Sequence, residues 1–379
     1  MTAIMPPLIA ILTEIPDPRQ KRGKRHPLGA MLALACVATL CGYESVSAIA
    51  EWGKHYGISY AAELGFSQHG YPAPATWYRV FRQVDIEAVE RRFGAWCQAV
   101  LAYLCAEEAD RLVISLDGKT LRGSLKQGAA GSHLLSALAA RQGVSLGQVA
   151  VEKHTNEIGM VEELLLKLCL KGAIVTSDAL LTQHKVVKSV LNAEGDYVLP
   201  VKMNQEDTYR AIRLWFARPA PPGFPNAVYE ETEKRAGRII RRRLSATTVL
   251  NEFLDWQAVQ QAFQITRVTL DPHTNQQHIE IAYGITSLPP EQASPADLLR
   301  IVRLHWAIEN KLHWVRDVTF DEDRSTLRVG KTHQLMAALR NLVISILRLL
   351  GYINIAQALR HFAARPRDAL ALILHSLQK

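Results

Sequence analysis

The chain has 379 residues, 48% hydrophobic and 21% charged, so it can bury a large core and is too long for one ordinary domain. Lysine and arginine number 44 against 36 acidic residues, a net charge of +8 that favours a polyanionic partner, chiefly nucleic acid, although solubility charge alone would also account for it. The five cysteines (Cys36, Cys41, Cys97, Cys105 and Cys169) show no zinc-knuckle spacing and read as reduced core residues of a cytoplasmic protein.

Residues 1–108 read as helical. The apolar stretch Leu28–Tyr43 behind the basic run Lys21-Arg22-Gly23-Lys24-Arg25 mimics a signal peptide. It starts too late for that and is too short to span a bilayer, so it reads as a buried helix and no membrane contact is expected. Pro27 opens a helix to Thr39, Gly42 breaks it, and Ser45 or Ser47 caps a second helix through Lys54. Helix, tight turn, helix suits a DNA-binding module and equally a plain bundle. A further helical stretch starts at Pro74, and Phe81, Val84, Val89, Phe93, Trp96 and Val100 then form a core-facing stripe.

Residues 109–205 alternate strand and helix. Strands are predicted over 112–117, 133–140, 146–152, 173–178 and 197–202, helices over 159–169 and 181–193. The unbroken apolar runs at 112–116 and 173–175 suggest central strands buried on both faces of an α/β sheet. After a proline-rich break at 218–226, the chain from Val228 to Thr286 reads as β, with a turn at Asp271–Asn275. Helix resumes at the capping pair Ser294-Pro295, and a helix from Gln334 to Leu350 carries a core-like apolar stripe.

Three acids stand out. Asp117 and Asp178 each end an apolar strand-like run, and Glu309 lies in a helical pattern. Strand end, strand end, helix is the order of an RNase H-like nuclease core. Such acids hold two divalent ions ~3.5–4 Å apart over a phosphodiester, activating the attacking oxygen and stabilising the leaving one. Carboxylates suit Mg²⁺ or Mn²⁺, which take hard oxygen ligands. Asp178 follows Asp117 by 61 residues and Glu309 follows by another 131, a gap that the β-rich segment fills as an insertion. Spacing alone leaves open whether the three converge.

Several motifs, in order, carry a resemblance. They are Asp17-Pro18-Arg19 with Arg22-Gly23-Lys24-Arg25-His26-Pro27-Leu28, Asp117-Gly118-Lys119-Thr120-Leu121-Arg122-Gly123-Ser124, and Asn156-Glu157-Ile158. Thr176-Ser177-Asp178-Ala179 with Gln183, and Lys202-Met203-Asn204-Gln205, follow. The last is His305 through Trp314 with Asp317-Val318-Thr319-Phe320, Glu322-Asp323 and Arg340-Asn341. Together they resemble the bacterial insertion-sequence transposases of the DDE type, specifically the H-repeat-associated family. The resemblance implies an α/β, RNase H-like catalytic core with a β-rich insertion before the catalytic glutamate, preceded by a helical N-terminal domain. On that reading residues 1–108 form the N-terminal, DNA-binding domain, 109–350 the catalytic domain with its insertion at about 218–292, and 351–379 a C-terminal helical segment.

The resemblance also implies metal-dependent cleavage at element ends and strand transfer to target DNA, with Asp117, Asp178 and Glu309 as catalytic metal ligands for two Mg²⁺ or Mn²⁺ ions. Double-stranded DNA is the implied partner, and a homodimer is expected in the DNA complex. The alternative is a catalytically silent or repurposed DNA-binding protein derived from a transposase. The wider group's Y-x2-R-x3-E-x6-K spacing, placed on Glu309, meets Val302, His305 and Arg316, so two basic positions remain and the tyrosine is lost. His305 and Arg316 are thereby candidate DNA contacts; Lys119 and Arg122 beside Asp117, His313 one turn beyond Glu309, and Lys202 are further candidates.

Other features admit two readings. Glu157 supports the metal site or caps a helix. Trp306 and Trp314 read as core before base-stacking platforms. Asp321-Glu322-Asp323 reads as a charged loop offset by Arg324 and Arg328. Arg241-Arg242-Arg243 lies on a strand, so only part of the run can face DNA at once.

Overall fold

The computed structural model describes residues 6–66, 70–104, 110–121, 132–151, 157–325, 327 and 330–376. In chain order come α1 (Leu8–Thr13), α2 (Leu28–Leu40), α3 (Val46–His55), α4 (Ala61–Leu64), α5 (Pro74–Phe81) and α6 (Ile86–Leu104). Then follow β1 (Val113–Leu121), β2 (Ser132–Ala139), β3 (Val144–Val151), α7 (Glu157–Leu165), β4 (Ile174–Ser177), α8 (His184–Asn192), β5 (Asp196–Val201) and α9 (Glu206–Phe216). Four long strands come next, β6 (Ala227–Arg235), β7 (Arg238–Thr247), β8 (Gln261–Leu270) and β9 (Gln277–Thr286). The chain ends with α10 (Pro295–His305), two π-helical turns (Glu309–His313 and Val315–Thr319), α11 (Thr332–Leu349), α12 (Ile355–Ala364) and α13 (Pro366–Leu374). Arg122, Asn156, Cys105, Arg328 and the side chain of Glu157 lie outside the described residues.

The chain divides into two compact bodies, the first comprising Met1–Asp110, Gly118–Leu168 and Ile308–Lys379, the second Arg111–Asp117 and Cys169–Ala307. In the first, α2 is a core helix: all thirteen of its residues are buried, and α1, α3, α11, α12 and α13 pack against it. Thirteen apolar and small residues make a helix with no polar face, which is stable only when surrounded. Gly42 ends it with φ +82°, and the Ser45 hydroxyl accepts from Ala48 N at 3.1 Å to start α3. Of this helix pair, α2 exposes nothing, while α3 exposes Ser47, Glu51, Lys54 and His55. Among the described residues no helix is long and apolar enough to cross a membrane.

In the same body α6 and α11 pack on β3, which pairs antiparallel with β2. Gly94 permits the α6 contact, since a Cβ there would meet Leu146 O at 2.5 Å. A buried polar chain crosses this interface. Gln148 Nε2 donates to Glu90 Oε1 at 2.8 Å, Asn341 Nδ2 to Gln148 Oε1 at 2.7 Å, and Ser145 N to Ser345 Oγ at 2.9 Å.

In the second body the first half of β1 pairs parallel with β4, and β4 parallel with β5. Then β9, β8, β7 and β6 continue the sheet antiparallel. Val113–Leu116 and Ile174–Ser177 are buried throughout, as apolar runs in central parallel strands require. Asp271 Oδ1 accepts from His273 N at 2.9 Å and shapes the β8–β9 turn. A full capping box opens α10 at Ser294 and Asp297.

Three expectations change. Strand β1 does not stop at Asp117 but continues to Leu121. The predicted continuous helix through Glu309 leaves α geometry after His305. Of the cysteines, Cys36, Cys41 and Cys97 are buried free thiols that burial pushes up to about 12, whereas Cys169 is exposed.

Candidate active site

The second body places two of the acids. In the parallel pair β1–β4, Leu116 is opposite Ser177; Asp117 follows within β1, and Asp178 follows just past the end of β4. Both are half-buried. Asp178 sits in a tight turn: its Oδ1 accepts from Leu181 N at 3.0 Å, and its carbonyl accepts from Thr182 Oγ1 at 3.3 Å. Thr182 Oγ1 also reaches Pro200 O at 2.7 Å, Asn204 Nδ2 donates to Ala179 O and Gln205 Nε2 to Thr182 O, each at 2.6 Å. The Lys202–Gln205 motif thus locks the Asp178 turn to the end of β5. Lys202 itself is exposed at that sheet end.

Helix α10 ends against β1, where Ser115 Oγ lies 3.5 Å from Leu304 O. Burial lowers the His305 pKa and the charge of Asp117 opposes that shift; among the described residues its Nδ1 has no hydrogen-bond partner. Arg303 Nη1 donates to Glu231 at 2.5 Å and Nη2 to Glu233 at 3.2 Å, while Arg242 Nη2 reaches Glu233 at 2.9 Å. These four charges tie α10 to β6 and β7 and consume Arg242. Arg243 lies 3.3 Å from Glu230, and Arg241 is exposed.

The first body places Glu309 on the first π turn. Its Oε2 lies 3.3 Å from Nδ1 of His313, whose ring is buried. Three anchors fix this segment. Lys311 Nζ donates to Ala140 O at 3.1 Å and Arg141 O at 2.5 Å. Lys119, only 9% exposed, donates to Asp317 Oδ2 at 2.5 Å. Arg316, fully buried, donates through Nε to Glu322 Oε2 at 2.8 Å, and Arg340 Nη1 donates to Glu322 Oε1 at 2.7 Å.

These anchors correct the sequence reading. Lys119 and Arg316 were candidate phosphate contacts, yet their charges are spent on Asp317 and Glu322 inside the protein. Glu322 belongs to no solvated loop: burial raises its pKa, and the two guanidiniums outweigh burial and hold the carboxyl below its usual range. The signal for this pairing was present in the Glu322-Asp323 and Arg340-Asn341 motifs, but sequence could not say that they meet. Trp306 and Trp314, read as core, are 66% and 54% exposed. Asp117, Asp178 and Glu309 each offer carboxylate oxygens, the hard donors a divalent ion takes, and Glu309 is exposed on a braced segment of its own body. π-Helical turns are rare and recur at functional sites, which suits the position of Glu309.

Comparison with known proteins agrees. Residues 9–97 match the DDE_Tnp_1-associated family and residues 108–346 the transposase DDE domain family. YncI of Escherichia coli O157:H7, named as a transposase, is 30% identical over 348 residues, covering 90% of this chain and 87% of that protein. YhhI of Escherichia coli, named as an H repeat-associated transposase, is 28% identical over 352 residues, covering 90% of each. Among solved structures, a piggyBac transposase synaptic complex with hairpin DNA is similar with TM-score 0.47 and 9% identity, covering 96% of this chain and 78% of that one. With the DDE domain matched over most of its length and a relative at this identity along nearly all of it, the chain belongs to the transposase DDE domain family.

Proposed function

We propose that this protein is an active DDE transposase whose catalytic carboxylates are Asp117, Asp178 and Glu309. The observation that supports the reading best is the parallel register of Leu116 with Ser177, the residues directly before Asp117 and Asp178, in a chain of this family. Two further observations support it. In one body β1, β4 and β5 pair parallel in that order, and in the other β2 and β3 pair antiparallel; we read these strands as an RNase H-like core with β6–β9 as the insertion. The charge of Asp117 acts on His305, and Glu309 lies four residues further along the same helical stretch.

Asp117, Asp178 and Glu309 would hold the Mg²⁺ or Mn²⁺ ions, two being expected, which would supply activation of an attacking oxygen and stabilisation of a leaving one. The chain supplies rigidity. Strands place two acids, while the Lys119–Asp317 pair and the Arg316–Glu322–Arg340 triad hold the third. Lys202 contacts a DNA phosphate beside Asp178. Water hydrolyses a phosphodiester at each element end and frees a 3′-hydroxyl; that hydroxyl then displaces a target phosphodiester's 3′-oxygen, joining the strands. Two ends must be held together, so the DNA complex is a homodimer.

The test is a cleavage and strand-transfer assay on duplex DNA flanking the gene's own locus, with Mg²⁺, Mn²⁺ or EDTA. Metal-dependent nicks at a repeat boundary with joined products are expected. Tight binding without cutting under any metal would instead identify a repurposed DNA-binding protein.

A further inference from the structure

We propose that the loop from Gln20 to Arg25 is a preformed contact for the phosphate backbone of duplex DNA, with Arg19 as its positioning residue; this rests on the transposase reading. Lys21, Arg22, Lys24 and Arg25 are all exposed, with only Gly23 between them. The nearby acid, Asp17, lies 4.0 Å from Lys24 Nζ and is itself held by Arg19. Arg19 engages Asp17 with both ends of its guanidinium, Nε to Oδ1 at 2.9 Å and Nη2 to Oδ2 at 2.8 Å. The same Nη2 donates to His26 O at 2.6 Å. One arginine, its side chain 8% exposed, therefore ties the chain before the loop to the chain after it.

The footing is rigid on the far side as well. His26 is buried with its ring 6.1 Å from that of Phe66, and Pro27 leads directly into the wholly buried α2. Lys24 Nζ adds a donor to Asp17 O at 3.2 Å, and Lys21–Gly23 forms a 3₁₀ turn. A basic run that merely solubilises the protein needs no such tie. A loop ordered during folding binds a polyanion without losing that freedom again. Phosphate contacts need cations at fixed positions and no base-reading surface. The rival surface of the same region is weaker: the exposed residues of α3 are Ser47, Glu51, Lys54 and His55, which place an acid among the cations.

The experiment measures binding of the full-length protein to a labelled 30-base-pair duplex by fluorescence anisotropy across a KCl series. It compares wild type with the triple variant Lys21→Gln, Arg22→Gln, Arg25→Gln and with Arg19→Lys. Loss of three phosphate contacts lowers the slope of log affinity against log salt by about 2.7 and cuts affinity at least roughly tenfold at 0.1 M salt. Arg19→Lys keeps every charge but loses the fork, so affinity drops several-fold with the slope retained. A triple variant that binds with wild-type slope and affinity overturns the inference while leaving the transposase reading intact. Absence of salt-dependent duplex binding by wild type would overturn both.

Discussion

Replacing Glu90 by glutamine isolates one buried carboxyl. Glu90 is 7% exposed on α6 and accepts a 2.8 Å hydrogen bond from Gln148. Burial raises its pKa from 4.5 to about 7; the Gln148 hydrogen bond and Lys167 oppose the rise, Glu87 adds to it, and Lys331 opposes it. The folded protein thus retains a proton that the unfolded chain releases near pH 4.5. Stability falls as pH climbs from there to about 7, and the whole cost is present above that. At ~1.4 kcal/mol per pH unit, that interval amounts to about 3 kcal/mol. Glutamine keeps an acceptor for Gln148 and cannot ionise. Urea unfolding of wild type and Glu90→Gln at pH 5, 6, 7 and 8.5 reads the difference directly, since every other titrating group is common to both. The variant should gain on wild type by about 3 kcal/mol between pH 5 and 8.5. A difference curve flat across that range would refute the reasoning, because it would mean that the carboxyl ionises at no cost inside the α6–β3 interface.

Asp178→Asn and Glu309→Gln should each abolish cleavage in the presence of Mg²⁺ while duplex affinity by anisotropy stays within a few-fold of wild type; wild-type cleavage by either would remove that residue from the site. Glu322→Gln leaves two buried guanidiniums against a neutral partner and should cost roughly 3–5 kcal/mol in urea unfolding. In wild type the same carboxylate contributes stability above its unfolded pKa, and that contribution disappears as pH falls through its lowered folded pKa, so acid unfolding should come at a higher pH in the variant's absence of this pair. Gly94→Ala drives a Cβ to 2.5 Å from the backbone oxygen of Leu146, which cannot rotate away; a loss of about 1–3 kcal/mol is expected, and an unchanged melting temperature would show that α6 can move off β3. Lys119→Met should slow cleavage with little change in DNA affinity, since its ammonium braces Asp317; a large affinity loss with normal cleavage would restore it as a phosphate contact.

Much of the architecture was legible because its signals are local. Apolar runs marked β1 and β4 as central strands, and Ser294-Pro295 and Ser45 marked helix starts, since period and capping depend on neighbours a few residues away. The same runs led to Asp117 and Asp178 as the residues that follow them, although β1 carries on past Asp117 to Leu121. Strand β6 escaped separate prediction because its sequence, Ala227–Arg235, is mostly charged and exposed and has no apolar alternation to betray it. The exposed Trp306 and Trp314 were misread for the opposite reason: large aromatic rings usually signal a core, and only the course of the helical stretch says otherwise.

What the sequence by itself determined is therefore the order and kind of most elements and the identity of the candidate acids. What only the tertiary structure decided is which charges are already paired. Lys119 meets Asp317, 198 residues away, and Arg340 meets Glu322 and the carbonyl of Glu44, the latter 296 residues away. A cation in a sequence has one formal charge wherever it stands. Whether that charge remains available for a phosphate depends on burial and on partners brought in from distant segments, which chain-local rules do not contain.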